Sequence, residues 1–482
     1  MIDFRPLGYV VGLLVAVMGL AMLLPLAADM VERRGSPATF AISSLVTVLS
    51  GVTLMLACMR TDSRSLNLRQ AFLLTTLVWA VLPLFGAIPF MVGAPYVGLT
   101  DAYFEAMSGM TTTGTTVFTG LDNLPAGTNL WRGILQWLGG LGIVIVAMVF
   151  LPIMRVGGMQ YFRSEGFDTM GKILPRSADI AKGLFGIYIG LTLLIILTYL
   201  VLGMNFLDAT VHAFSTVSTG GFSTADQSGG KFIGPAEYFS ALFMVLASVP
   251  FIRLLQLAAG DPVPFWRDIQ VRASLRWLAY SIGAIVVYRH FTSSDPLLAN
   301  LRESTFNVVS VFSGTGYSSV NIYAWGDFPV LVLILGGLIG GCTASTGCSI
   351  KVFRYLVLIE VIKAQIRRIQ SPRSIVTPRL EGREINDDII GSVILLFILY
   401  AVSISVLTVL LAFTGLAPMT AMTAAWTSIA NIGPVFGPEV GTTGAMDAIP
   451  ASAKWMMSIG MLIGRLEIVS VVVLLLPRFW RD

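Results

Sequence analysis

The chain is 482 residues long, 55% hydrophobic and only 12% charged, with a net charge of +4 and a mean hydropathy of +0.80. So little charge cannot cover the surface of a water-soluble protein of this size, so the bilayer has to be the solvent. The small positive excess gives no stripe for nucleic acid, and neither Cys58, Cys342 and Cys348 nor His212 and His290 have disulfide-framework or zinc-site spacing.

Apolar runs approaching the roughly 20 residues that a membrane crossing needs fall at 8–28, 39–58, 70–92, 132–154, 183–204, 237–258, 275–291, 328–362 with an interruption, 389–413 and 455–476. The first run is followed by another from Phe40 rather than by a cleavage site and a soluble region, so it reads as a retained helix, not a signal peptide. The seventh is short, with Arg276 and Arg289 at its ends. After the leading pair, one pattern recurs four times: a helix, a Thr/Ser/Gly-rich stretch (96–131, 205–238, 291–328 and 415–455) and another helix. Each stretch opens with an apolar patch too short to span, at 103–110, 210–217, 304–311 and 419–429. A half-helix followed by extended backbone is what a re-entrant loop requires. The expected fold is therefore an all-α polytopic membrane protein: four helix–pore-loop–helix repeats around a single pore, plus two leading transmembrane helices. The leading pair occupies 1–60, and the repeats occupy 61–160, 161–265, 266–370 and 371–482.

Lys and Arg placement sets the orientation. With both termini in the cytoplasm, the inner side receives Arg60, Arg64 and Arg69; Arg155, Arg163, Lys172, Arg176 and Lys182; Arg267, Arg272 and Arg276; and Lys363, Arg367, Arg368, Arg373, Arg379 and Arg383. The outer side keeps Arg33, Arg34, Arg132, Lys231, Arg289, Arg302 and Lys454. It also carries Asp101, Glu105, Asp122, Asp208, Asp226, Asp295, Glu303, Asp327, Glu439 and Asp447. An acidic outer mouth acts as a cation funnel.

The four half-helices end in Thr112-Thr113-Gly114-Thr115, Ser218-Thr219-Gly220-Gly221, Gly314-Thr315-Gly316-Tyr317 and Asn431-Ile432-Gly433-Pro434. Aligned on Gly114, Gly220, Gly316 and Gly433, they read as filter turns, because replacing a cation's hydration shell takes carbonyls turned to one side, through backbone angles that glycine tolerates. Each half-helix aims its partially negative C-terminus at the cation.

The Thr-Thr-Gly, Ser-Thr-Gly-Gly-Phe and Gly-Thr-Gly-Tyr turns resemble the pore loops of the Trk/Ktr/HKT superfamily over essentially the whole chain, and the extra pair at 8–58 resembles its Trk branch. The resemblance implies potassium as the transported ion, a homodimer with one pore per protomer in the bacterial inner membrane, and a cytoplasmic nucleotide-binding regulatory subunit of the TrkA type. Ile432 before Gly433 and Pro434 after it depart from the pattern and argue against a four-fold symmetric filter.

The third inner helix is interrupted by Gly336-Gly337, Gly340-Gly341 and the run Cys342 to Ser349. Irregular backbone at membrane depth must be shielded by protein or line a wet cavity, and the resemblance implies a gating loop at 336–350, with Gly340, Gly341, Thr343, Ser345 and Gly347 in it. Arg465, read as lying mid-way along the last apolar helix, costs at least about 3 kcal/mol if unpaired; it is expected to face the pore below the filter and hold the loop through its carbonyls. Pro250 predicts a kink, with Arg253 snorkelling to the inner surface. Metalloprotease, nucleophile-elbow and Walker motifs are absent, arguing against an enzyme. The rival reading is a potassium symporter driven by a proton or sodium gradient.

Overall fold

The computed structural model describes residues 3–32, 35–59, 67–145, 177–374 and 376–481. Arg33, Arg34, Arg60, Arg64, Arg155, Arg163, Lys172, Arg176 and the end of the fourth expected span lie outside the described residues.

The leading pair comprises α1 (Arg5–Ala21), running on into α2 (Leu23–Glu32), and α3 (Pro37–Ala57). A Cβ on Gly51 would sit 2.7 Å from the Gly12 carbonyl oxygen, so these helices meet through bare backbone, as small-residue packing in lipid requires. The first unit holds α4 (Leu68–Gly86), started by an Asn67–Gln70 capping box, then α5 (Ile88–Val92), α6 (Leu99–Met110) and α7 (Ala126–Ile145). The second holds α8 (Ser177–Val201), α9 (Phe206–Val217), α10 (Pro235–Ser248) and α11 (Phe251–Ala258). After α12 (Val263–Arg267) come α13 (Ile269–Thr292), α14 (Leu297–Ser313), α15 (Asp327–Ile339) and α16 (Val352–Gln370). An antiparallel hairpin of β1 (Arg379–Leu380) and β2 (Arg383–Glu384) precedes α17 (Asp387–Phe413), α18 (Pro418–Ala430), α19 (Ala451–Arg465), α20 (Val469–Leu475) and α21 (Pro477–Arg481).

Among the described residues, five helical stretches are long and apolar enough to cross a membrane, and two bent pairs pass the same test together. The protein is thus an all-α polytopic membrane protein. The half-helices α6, α9, α14 and α18 have 12, 12, 17 and 13 residues. At 1.5 Å per residue they reach roughly 18–26 Å, short of a hydrocarbon core of about 30 Å.

Three local expectations need correction. The chain turns by 105° between α10 and α11, far more than a proline kink, and Arg253 pairs there through its Nε with Asp268 at 2.7 Å. The last apolar run is two helices meeting at 111°, so Arg465 ends α19 instead of standing mid-helix, and Glu467 lies in the break with φ +55°. In the third inner helix, Gly336 and Gly337 remain helical. The break starts at Gly340, whose φ of +73° stops the helix, and lasts to Lys351, so the irregular stretch is 340–351 and not 336–350.

Candidate functional site

The turns that follow α6, α9, α14 and α18 share one local geometry. In each, an N–H reaches back to a carbonyl five residues earlier: Thr113 to Ser108 (2.9 Å), Gly220 to Ser215 (2.8 Å), Thr315 to Ser310 (2.9 Å) and Ile432 to Thr427 (3.3 Å). The residue before the donor is left-handed in every turn (Thr112 +50°, Thr219 +51°, Gly314 +84°, Asn431 +52°). So is the residue after it (Gly114 +87°, Gly221 +81°, Gly316 +80°, Gly433 +112°). A β-branched threonine at positive φ is strained, and such strain persists only where the surroundings enforce it.

This register corrects the alignment of the second turn: the counterpart of Gly114, Gly316 and Gly433 is Gly221, and Gly220 matches Thr113, Thr315 and Ile432. The sequence held the signal. Ser108, Ser215, Ser310 and Thr427 each stand six residues before a glycine, namely Gly114, Gly221, Gly316 and Gly433.

The four turns also close into a ring. A Cβ on Gly114 would overlap the carbonyl oxygen of Gly220, one on Gly221 that of Thr315, and one on Gly316 that of Ile432. A Cβ on Gly433 would come within 2.8 Å of the carbonyl oxygen of Thr113. Each turn therefore lays one carbonyl against a glycine of another, and the fourth returns to the first. Side chains brace the ring from behind. Thr113 Oγ1 meets Thr111 Oγ1 at 2.8 Å and accepts from Asn431 Nδ2 at 2.9 Å; Thr315 Oγ1 meets Ser313 Oγ at 2.8 Å; Thr115 Oγ1 donates to Gly433 O at 2.8 Å; and Ser218 Oγ donates to Phe214 O at 2.7 Å. Above the ring lies a cavity of about 500 Å³ lined by Gly114, Gly221, Gly316 and Gly433.

Most of the carboxylates expected at the outer mouth are engaged within the fold. Glu105 pairs with Arg132, Asp101 with Lys454, Asp122 and Asp208 with Lys231, and Asp295 and Glu303 with Arg289. Asp226 accepts the N–H groups of Gly120 and Leu121, and Glu439 binds Thr420 Oγ1 and the Ala417 N–H. These contacts hold loops together. The Glu105–Arg132 pair is wholly buried, and Arg132 Nη1 also donates to Ser223 O at 2.7 Å. Removing one partner of such a pair leaves an uncompensated charge, so Arg132→Ala is expected to cost about 3–5 kcal/mol, measured as loss of folded protein in a thermal-stability assay on the detergent-purified chain.

Beneath the ring lies the 340–351 stretch. The break at Pro250 leaves carbonyls at the end of α10 without helical partners, and this stretch supplies them. Cys342 N donates to Ser248 O at 2.8 Å, and Thr346 Oγ1 donates to Ala247 O at 2.9 Å and Val217 O at 3.1 Å. In return Phe251 N donates to Ala344 O at 3.0 Å, and Gln270 Oε1 accepts the Thr343 N–H at 3.0 Å. Within the loop, Ser345 Oγ donates to Cys342 O at 2.6 Å, and Gly341 lies so close to Gly347 that a Cβ would sit 2.9 Å from the Gly347 Cα. Gly340, Gly341, Thr343, Ser345 and Gly347 thus share one loop, tied through part of its backbone to α10, α11 and α13.

Cys348, which the sequence reading did not single out, joins loop, ring and arginine. Its Sγ lies 3.7 Å from Thr112 Oγ1, and its backbone N would be 3.3 Å from a Cβ on Gly314. Arg465 Nη1 donates to Cys348 Sγ at 2.6 Å, while Arg465 Nε and Nη2 have no partner among the described residues. The arginine therefore grips the loop through a thiol side chain, not through the expected carbonyls. Glu467, in the break after α19, forms a buried ion pair with Arg354 of α16.

A helical membrane protein whose interrupted elements converge on a ring of left-handed turns has the layout of an ion-translocating protein. The TrkH family, described as cation transport protein, matches residues 38–481. The chain is 36% identical to the Trk system potassium uptake protein TrkI of Halomonas elongata, over 99% of this chain and 97% of that one. It is 33% identical to TrkH of Escherichia coli K12, over 99% and 100%. The crystal structure of the potassium transporter TrkH from Vibrio parahaemolyticus superposes with a TM-score of 0.90 at 30% identity, covering 100% of both chains. The chain belongs to the TrkH family, and is a membrane transport protein rather than an enzyme.

Proposed function

We propose that this chain takes up potassium across the bacterial inner membrane through one channel-like pore. The observation that carries the reading is the closed ring of four turns, which supplies repeated carbonyls at matching positions around one axis. The printed names of the relatives, potassium uptake and potassium transport, supply the ion. In this reading the leading pair (1–60) flanks four repeats (61–160, 161–265, 266–370, 371–482), and Thr112 to Gly114, Ser218 to Gly221, Gly314 to Gly316 and Asn431 to Gly433 form the filter. The 340–351 loop with Arg465 forms the gate. The guanidinium under the ring, with two donors unused, repels a cation until the loop moves.

The protein works as a homodimer with both termini in the cytoplasm, and a nucleotide-binding regulatory subunit of the TrkA type docks on the basic 363–383 segment. That segment leaves α16 before Pro372 and returns through the β1–β2 hairpin, exposing Arg367 and Arg373. Reversal potentials of the purified chain in bilayers under mixed K⁺, Rb⁺ and Na⁺ gradients test the reading. The expected result is a channel-sized current reversing near the K⁺ equilibrium potential. Flux at transporter turnover that follows an imposed proton or sodium gradient overturns it in favour of the symporter.

A further inference from the structure

The second turn of the ring lacks what the other three have. At matching positions stand Thr113, Thr315 and Ile432, each with a buried side chain, whereas the second turn has Gly220. The place is not empty. Gln136, from α7 of the preceding unit, fills it: a Cβ on Gly220 would run into the Gln136 carboxamide. Gln136 is 0% exposed. Its Nε2 donates to Gly220 O at 2.5 Å, and its Oε1 accepts the Phe222 N–H at 3.2 Å. The Phe222 N–H can only donate, so the oxygen of the carboxamide faces it and the nitrogen faces the carbonyl.

One helical turn earlier on the same face, Arg132 Nη1 holds Ser223 O at 2.7 Å. Two side chains of α7 therefore hold the strand 220–223 from behind. Gly220 O occupies the ring position of Thr113 O, Thr315 O and Ile432 O, each lying against a glycine of another turn. Among the described residues it alone of the four accepts a hydrogen bond. A donor at that distance draws electron density from the carbonyl and fixes its direction, so the ring is electrically three-plus-one rather than four-fold.

We infer that Gln136 is a selectivity-setting positioning residue: it stands in for the missing side chain of the second filter strand and holds back one of the four ring carbonyls. The inference rests on the filter reading given above. Gly220 is then glycine because Gln136 occupies its side-chain space, not because of a left-handed backbone, which belongs to Gly221. The two residues should be exchangeable as a pair.

Purified full-length protein in bilayers provides the test, with Gly316→Ala as the control for the filter itself. Gln136→Leu keeps the volume and removes the donor; it is expected to shift the K⁺/Na⁺ permeability ratio by about threefold or more, the size expected for one lost hydrogen bond. Gly220→Thr alone is expected to lose K⁺ current, and Gln136→Ala with Gly220→Thr to regain it, because the double variant gives the second turn the arrangement of the third. Rescue reports on space at the filter even if Gln136→Leu yields too little folded protein, and a generic packing role would not move an ion ratio. A wild-type ratio in Gln136→Leu, or a double variant no better than Gly220→Thr alone, overturns the inference. If Gly316→Ala shifts the ratio or loses K⁺ current while these variants behave like wild type, only the role of Gln136 falls; if Gly316→Ala also keeps wild-type current and ratio, the filter reading falls with it.

Discussion

Gly221→Ala and Gly316→Ala are each expected to lower K⁺ uptake, or the K⁺/Na⁺ permeability ratio, by about tenfold or more, corresponding to at least about 1.4 kcal/mol. Two effects act together at these positions. A left-handed backbone costs an L-residue roughly 1–2 kcal/mol, and the φ angles are +81° and +80°. The new Cβ also has to displace the carbonyl oxygen of Thr315 or Ile432, so the ring itself must open. Gly114→Ala faces the same overlap with Gly220 O, whereas at Gly433 the nearest oxygen, that of Thr113, would be 2.8 Å away. The expected order is therefore Gly114, Gly221 and Gly316 alike and severe, with Gly433 milder. Potassium uptake by a strain lacking its own uptake systems, scored against membrane-inserted protein, measures the order. Wild-type ion preference in all four variants would remove the carbonyl ring from selectivity.

How much of this was legible in the sequence depended on the kind of pattern involved. Apolar runs and their spacing disclosed the helices, because a single apolar run of that length can satisfy its own backbone in lipid only as a helix, and the half-helices stood out through their shortness. Register in the second turn was lost because two adjacent glycines, Gly220 and Gly221, both fit a glycine motif; only the hydroxyl residue six positions upstream distinguishes them. Sharp bends were underestimated for a related reason. Averaged hydropathy stays high across Pro250 and across Leu466 to Ile468, despite Glu467, although the chain turns by 105° and 111° there. What bends it is long-range: loop donors from Cys342 and Thr346 take the carbonyls of α10, and Arg354 of α16 draws Glu467 into the break. Pairings such as Gln136 with Gly220, or Arg465 with Cys348, join residues 84 and 117 positions apart, and no periodicity can disclose them.

Arg465→Ala and deletion of 345–347 are each expected to raise K⁺ flux about tenfold in the absence of any regulatory subunit. The loop is held by a few identifiable bonds. Cys342 N and Thr346 Oγ1 fasten it to the end of α10, Phe251 N to the start of α11, and Arg465 Nη1 to Cys348. Each hydrogen bond contributes about 0.5–1.5 kcal/mol net, and one to a charged group up to about 3 kcal/mol. Losing the arginine contact alone thus shifts the closed-to-open balance by an amount comparable to the 1.4 kcal/mol that makes a factor of ten. Removing Arg465 also takes away a buried positive charge beneath the ring, which lowers the barrier for a cation whatever the loop does. Arg465→Lys separates the two effects, because it keeps the charge while losing the fixed fork of donors. If loop closure dominates, the lysine variant conducts almost as well as the alanine variant; if electrostatic repulsion dominates, it stays near wild type. Flux has to be normalised to folded protein, since deleting 345–347 removes Thr346 and takes its hydrogen bond from the carbonyls of Ala247 and Val217. Unchanged or lower normalised flux in both Arg465→Ala and the deletion would leave the loop and its arginine as scaffolding for the α10–α11 bend rather than a gate.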